Sequence, residues 1–332
     1  MGHTRGGDLM SVPQAGTRLQ WMDTLRGLAI LLVLIWHAPA IPALFGYEMP
    51  LWLEAVNNFF LPLRMPTLMF LSGLLLTRSM GKGLKIYYVG KFKALLWPYL
   101  LWAGLHMVLY GHGLELSSPR AWIATGYLWF LFYITCYYMV APLVTKLPAW
   151  LPPIALIVTS IPLEDGLAKK LLYFAGFFFA GHLAMQHRNI LAKLTQWPIA
   201  GYCGAVAALF GIVSAARGTE LAYRGEFALF SLMGIVAAIT LTEKYSAAWW
   251  VRPVAFVGRN SLIYYVAHFP IILCVLYLVE AMGLGNVWLI AIPGLILSLV
   301  ICTLLSKWRQ VIPVRWLFQA PDPARLVTSR SR

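Results

Sequence analysis

The sequence predicts an all-α, polytopic integral membrane protein of about ten transmembrane helices. Three observations carry that prediction. Of 332 residues, 60% are hydrophobic and only 11% are charged, whereas a soluble domain carries about 25% charged residues. The apolar residues gather into runs long enough to cross a hydrocarbon core of ~30 Å. The charged residues fall mostly between those runs and at the chain ends. The net charge of +14 is therefore spread as membrane topology spreads it, not patched as on a nucleic-acid-binding face. Membrane lipids are expected partners and nucleic acid is not.

Taken in order, the runs cover about 22–41, 52–77, 94–111, 122–143, 151–163, 168–186, 199–216, 226–242, 254–279 and 287–305. The fifth is short and flanked by Pro148, Pro152, Pro153 and Pro162; the alternation of charge requires it. With ten crossings one side receives Arg5, Arg18, Arg78, Lys82, Lys85, Lys91, Lys93, Lys146, Arg188, Lys193, Lys244, Arg252 and the tail from Lys307. The other receives Arg120, Lys169, Lys170, Arg217 and Arg224, together with Glu48, Glu115, Glu164, Asp165, Glu220 and Glu226. The positive-inside rule then sets both termini in the cytoplasm. Residues 1–19 and 319–332 read as loose polar tails around a single membrane domain over 20–318. Ala38-Pro39-Ala40 resembles a signal-cleavage site, but the run before it is long and holds Arg26 and His37, so an uncleaved first span is expected. Cys136, Cys203, Cys274 and Cys302 lie in apolar runs without metal or CxxC spacing, and are read as small hydrophobes. No metal is expected.

Ionisable groups inside an apolar helix are costly and usually face a bundle interior or a wet cavity. Arg26 and His37 sit eleven positions apart in the first run. Eleven steps of ~100° amount to roughly three turns plus 20°, so both lie on one helix face, about 16 Å apart along the axis. In the second run Arg64 stands between Pro62 and Pro66, where proline is expected to break the helix and free backbone groups to line a cavity. Counting from the expected cytoplasmic edge of each span at 1.5 Å per residue puts His37, Arg64, His268 and Trp129, on four helices, at about 21–26 Å. Arg26 and Arg259 fall within about 10 Å of the same edge, with Ser72 near that level. Ser261, Tyr265 and His268 follow i, i+4, i+7 and form one polar stripe. His106 and His182 are read as packing residues.

The motifs resemble those of the membrane acyltransferase 3 family, bacterial integral-membrane O-acyltransferases. The opening reads Asp23-Thr-Leu-Arg26-Gly and runs on to His37; the second span carries Met65-Pro66 and Phe70-Leu-Ser72-Gly73. A basic segment with Lys91 and Lys93 leads to Pro98-Tyr99, Leu128 to Leu131 reads Leu-Trp-Phe-Leu, and a late helix carries Ser261 through His268. Two positions depart from the pattern: Arg64 stands where many members have His, and Lys91 and Lys93 stand where many have Arg. Many members of the family carry an extra soluble hydrolase-like domain; no such segment is read here, and the stand-alone form is expected.

The resemblance implies an acyl-CoA donor, usually acetyl-CoA, and an acceptor hydroxyl on a glycan or polyprenyl-linked sugar, in the bacterial inner membrane. It assigns donor binding to Arg26, Arg259, Lys91 and Lys93. His37 becomes the general base, since imidazole titrates near neutrality, and Arg64 the group that stabilises the oxyanion. Asp23 caps or orients the first helix. Ser72, Trp129, Ser261, Tyr265 and His268 position substrate or pack helices. The competing reading is a proton-coupled or small-solute transporter, because embedded Arg and His also mark ion routes.

Overall fold

A computed structural model describes residues 20–110 and 116–321. The tail expected over 1–19, most of the tail over 319–332, and Glu115 lie outside the described residues. Among the described residues all regular structure is helical.

In chain order the helices are α1 Gln20–Ala43, α2 Leu51–Leu74, α3 Leu76–Met80, α4 Leu84–Lys91 and α5 Trp97–Leu109. They continue as α6 Trp129–Val144, α7 Leu151–Ser160, α8 Leu167–Gln186, α9 Arg188–Leu194 and α10 Trp197–Arg217. The last are α11 Ala228–Lys244, α12 Arg252–Arg259, α13 Ser261–Ala281, α14 Val287–Trp308 and α15 Val314–Phe318.

Among the described residues, seven helical stretches are long and apolar enough to cross a membrane: α1, Leu84–Leu109, Gly126–Val144, Trp197–Leu221, Gly225–Lys244, α13 and α14. The other three expected spans differ. Helices α2 and α8 have spanning length, 24 and 20 residues, but carry polar groups such as Glu54, Asn57, Asn58 and Arg64, or Lys169, Lys170 and His182. Helix α7 has ten residues, about 15 Å at 1.5 Å per residue, half a hydrocarbon core.

Two boundaries also depart from expectation. The third span starts ten residues early, because α4 and α5 join through a π-helical segment, Phe92–Leu96. Lys85, Lys91 and Lys93 therefore sit on the helix itself. The ninth expected run divides at Asn260, whose Oδ1 accepts from Arg309 Nη1 at 2.8 Å and whose Nδ2 donates to Phe256 O at 2.9 Å.

Small residues bring backbones together where helices cross. A Cβ on Gly27 would lie 2.0 Å from Val254 O, and one on Gly258 1.7 Å from Asp23 O, so α1 and α12 touch main chain to main chain. Helices α2 and α8 do the same: a Cβ on Gly73 would lie 1.8 Å from Phe178 O and one on Gly181 2.0 Å from Phe70 O. This is the close approach that small residues permit between membrane helices.

Proline does not break the helices as expected. Helix α2 runs unbroken through Pro62 and Pro66. Each interior proline lacks the N–H that would bond the carbonyl four residues back, and in two helices a tyrosine supplies the missing donor. Pro142 leaves Tyr138 O, which receives the Tyr87 hydroxyl at 2.7 Å. Pro270 leaves Val266 O, which receives the Tyr127 hydroxyl at 2.6 Å. Both bonds are buried, where an unmet carbonyl is costly.

Candidate active site

The bundle brings three of the embedded groups together. The His37 and His268 rings have centroids 4.9 Å apart at 58°, joining the faces of α1 and α13. Arg64 reaches over from α2: its Nη1 donates to Asn57 Oδ1 at 3.0 Å and to Leu32 O at 3.3 Å, five residues before His37. Three of the four residues that the depth count put at one level are thus neighbours; Trp129 is packed on Phe174 instead.

The hydrogen bonds fix the chemistry of each ring. His37 Nδ1 meets Val33 O at 2.8 Å, and His268 Nδ1 meets Tyr264 O at 3.0 Å. A carbonyl only accepts, so each Nδ1 carries the proton of the neutral ring. Each Nε2 is then left as a lone pair, the basic nitrogen. His268 is fully buried, and its Nε2 has no partner; nor has Arg64 Nε. His37 is only half-buried. His268 Nε2 and Arg64 Nε are thus buried with unused hydrogen-bonding capacity, which native interiors rarely leave unmet.

Below this group lies a cavity of about 410 Å³ that opens toward the end where α1 begins. Its mouth holds Arg26, Ser79, Lys82 and Lys91; its walls include Ser72, Tyr138 and Ser261; its deep end is closed by Phe130, Leu131 and Tyr265. The π-helical segment contributes Ala94 and Leu95; such irregular turns recur at functional sites. Lys91 Nζ rests 3.4 Å from the centre of the Tyr138 ring, a cation–π contact, and the Tyr138 hydroxyl in turn donates to Ser72 O at 2.8 Å. His37, Arg64 and His268 do not line this cavity. Phe130 and Tyr265 line it, edge to face at 5.3 Å, and the Tyr265 ring lies 6.3 Å from that of His268.

The remaining expected residues fall elsewhere. Arg259 is exposed at the end of α12, and neither it nor Lys93 lines the cavity. Asp23 is buried in the first turn of α1, in the crossing with α12, where its charge favours the helix dipole. Ser72 Oγ donates to Leu68 O in its own helix, beside the Gly73 close approach. Trp129 stacks on Phe174 at 5.1 Å, away from the imidazoles. The Tyr265 hydroxyl donates to Tyr127 O, so Tyr127 and Tyr265 lock the turn before α6 onto α13. His182 is bonded to Thr77 and Gln186, and His106 packs on Tyr127 and Phe269.

Three contributors were absent from the sequence reading. Asn57 holds Arg64. Tyr223, in the loop before α11, sets its hydroxyl beside the same guanidinium while packing on Phe174 at 4.8 Å. Tyr127 lies edge-on to His268 at 5.5 Å.

A family model described as an acyltransferase domain, of the acyltransferase 3 family, matches residues 19–307. The chain belongs to that family and is a membrane acyltransferase. No curated protein and no solved structure matches it.

Proposed function

We propose that the protein moves an acyl group, acetyl in the simplest case, from cytoplasmic acyl-CoA to a hydroxyl of a glycan or polyprenyl-linked sugar at the outer half of a bacterial inner membrane. The observation that carries this reading is the relation of cavity to imidazoles: cations at the mouth, His37 and His268 just beyond the deep end. Arg26, Lys82 and Lys91 suit the phosphates of the donor. Its thin pantetheine arm would run past Ile30 and Leu68 toward Phe130 and Tyr265, whose side chains would have to part for the thioester to reach His37. Arg259 and Lys93, outside the cavity lining, would act at most on the approach.

At the imidazoles, His37 Nε2 would take the proton of the acceptor hydroxyl as its oxygen attacks the thioester carbonyl. Negative charge gathers on the carbonyl oxygen, beside the Arg64 guanidinium in a water-poor site. Collapse breaks the C–S bond, and the proton held by His37 passes to the leaving CoA thiolate. Proton and acyl group then balance without an acyl-enzyme. The second lone pair, on His268, would receive a hydrogen bond from the acceptor and so orient it, with Ser261 and Tyr265 shaping the channel beneath.

The test is purified protein in nanodiscs with acetyl-CoA. Thermal stabilisation by acetyl-CoA, and release of CoA that depends on an added membrane glycan fraction, are the expected results. A solute flux without acyl chemistry would instead make this chain a transporter.

A further inference from the structure

A second cavity, of about 780 Å³, opens at the opposite end of the bundle, where α1 and α13 terminate. The two helices that carry the imidazoles thus both end in it. We propose that this cavity is a carbohydrate-binding site, which holds a neutral or amino-sugar oligosaccharide acceptor while one of its hydroxyls reaches His37. The proposal rests on the acyltransferase reading and adds where the acceptor is held.

The lining has the chemistry of sugar recognition. Glu48, Glu280 and Asn286 bring planar acceptors suited to hydroxyl groups, and Phe45, Tyr47 and Trp288 bring aromatic surface of the kind that packs on the C–H side of a pyranose. Among the described lining residues none is basic, so a phosphate-rich donor is disfavoured here, in contrast to the cation-rich mouth below. The aromatic rings are braced before any ligand arrives. Trp288 stacks on Trp52 at 6.3 Å and 16°. Phe45 is held edge-on by Tyr110 and Tyr277 at 5.9 and 6.0 Å.

The backbone is also set. Gly46 at φ +89° and Gly283 at φ +69° take the left-handed conformation that ends each helix. Leu284 N bonds Val279 O at 3.2 Å, and Asn286 Oδ1 caps α14 by accepting from Trp288 N at 2.9 Å. From His37 to the end of α1 at Ala43 is six residues, about 9 Å; from His268 to Glu280 is twelve, about 18 Å. A ligand seated in the cavity must therefore exceed one sugar ring to bring a hydroxyl to the imidazoles, which makes the acceptor an oligosaccharide or a glycan chain end.

The experiment titrates glucose oligosaccharides of increasing length, and a uronic-acid oligosaccharide, into the full chain in nanodiscs by calorimetry. The wild type is compared with Trp288→Ala and with the double variant Glu48→Gln/Glu280→Gln. Affinity that rises with length for the neutral series, exceeds that for the acidic one, and falls about tenfold or more in both variants is the expected result. Acetyl-CoA stabilisation, read in parallel, reports that each variant is folded and keeps its donor site. Unchanged affinity in the variants, a preference for the acidic series, or binding of calcium alone by the same glutamates would overturn the proposal. A wild type that binds these sugars here yet transfers no acyl group to any acceptor would retain the site and end the acyltransferase reading.

Discussion

Tyr127→Phe removes one hydroxyl and leaves the ring stacked on Phe269 at 4.4 Å and 3°. The hydroxyl it deletes is the donor to Val266 O, the carbonyl that Pro270 deprives of its helical partner. A typical hydrogen bond contributes about 0.5–1.5 kcal/mol net, and a buried acceptor left unmet costs about 1–3 kcal/mol. The second case applies here, so the variant should lose roughly 1–3 kcal/mol of unfolding free energy. Pro270→Ala restores an N–H at the right place in α13 to bond Val266 O. In that background Tyr127→Phe should cost less, with a coupling of about 1 kcal/mol or more between the two sites. The assay is reversible denaturation of the four variants in mixed micelles, read as a double-mutant cycle. Costs that add to within about 0.3 kcal/mol would refute the reasoning, because the tyrosine would then not be serving the proline's orphan. Tyr87 and Pro142, joined through Tyr138 O, form an independent repeat of the same cycle.

Three further predictions follow from the packing and the cavity. Gly73→Ala drives a methyl toward Phe178 O and should cost about 1–3 kcal/mol or more of stability, seen as a lower midpoint of thermal unfolding; an unchanged midpoint would mean α2 and α8 do not touch there. Arg26→Ala should weaken acetyl-CoA binding roughly tenfold to a hundredfold, measured by calorimetry; unchanged affinity would remove Arg26 from the donor site. Phe130→Trp enlarges the ring at the deep end of the cavity and should lower kcat while leaving acetyl-CoA affinity near that of the wild type; equal turnover would mean that the thioester takes another route.

The helical class, and the meeting of His37, Arg64 and His268, were legible because helix rise is constant and the expected cytoplasmic edges give each span a common origin. Rotation about the axis is not given by such a count, which is why Trp129, at the same height, faces Phe174 instead. Lys91 and Lys93 are two residues apart, about 200° around a helix, so one faces the cavity and the other does not. The division at Asn260 lay hidden because the apolar run continues on both sides of it. Tyr87 and Tyr127 had a signal that went unread: an interior proline implies a carbonyl in search of a donor. Tyr223 had none, being a loop residue at φ +56° brought to Arg64 by tertiary packing. The second cavity was invisible for a similar reason. Its two walls are short turns, Phe45 to Pro50 and Gly285 to Trp288, far apart in the chain and unremarkable singly.

Donor binding and turnover of His37→Ala in nanodiscs, measured on one preparation, decide whether His37 is the base. The variant should bind acetyl-CoA as the wild type does, while glycan-dependent CoA release falls about 10²–10⁴-fold. Turnover at the wild-type rate would contradict the assignment of His37 as the base.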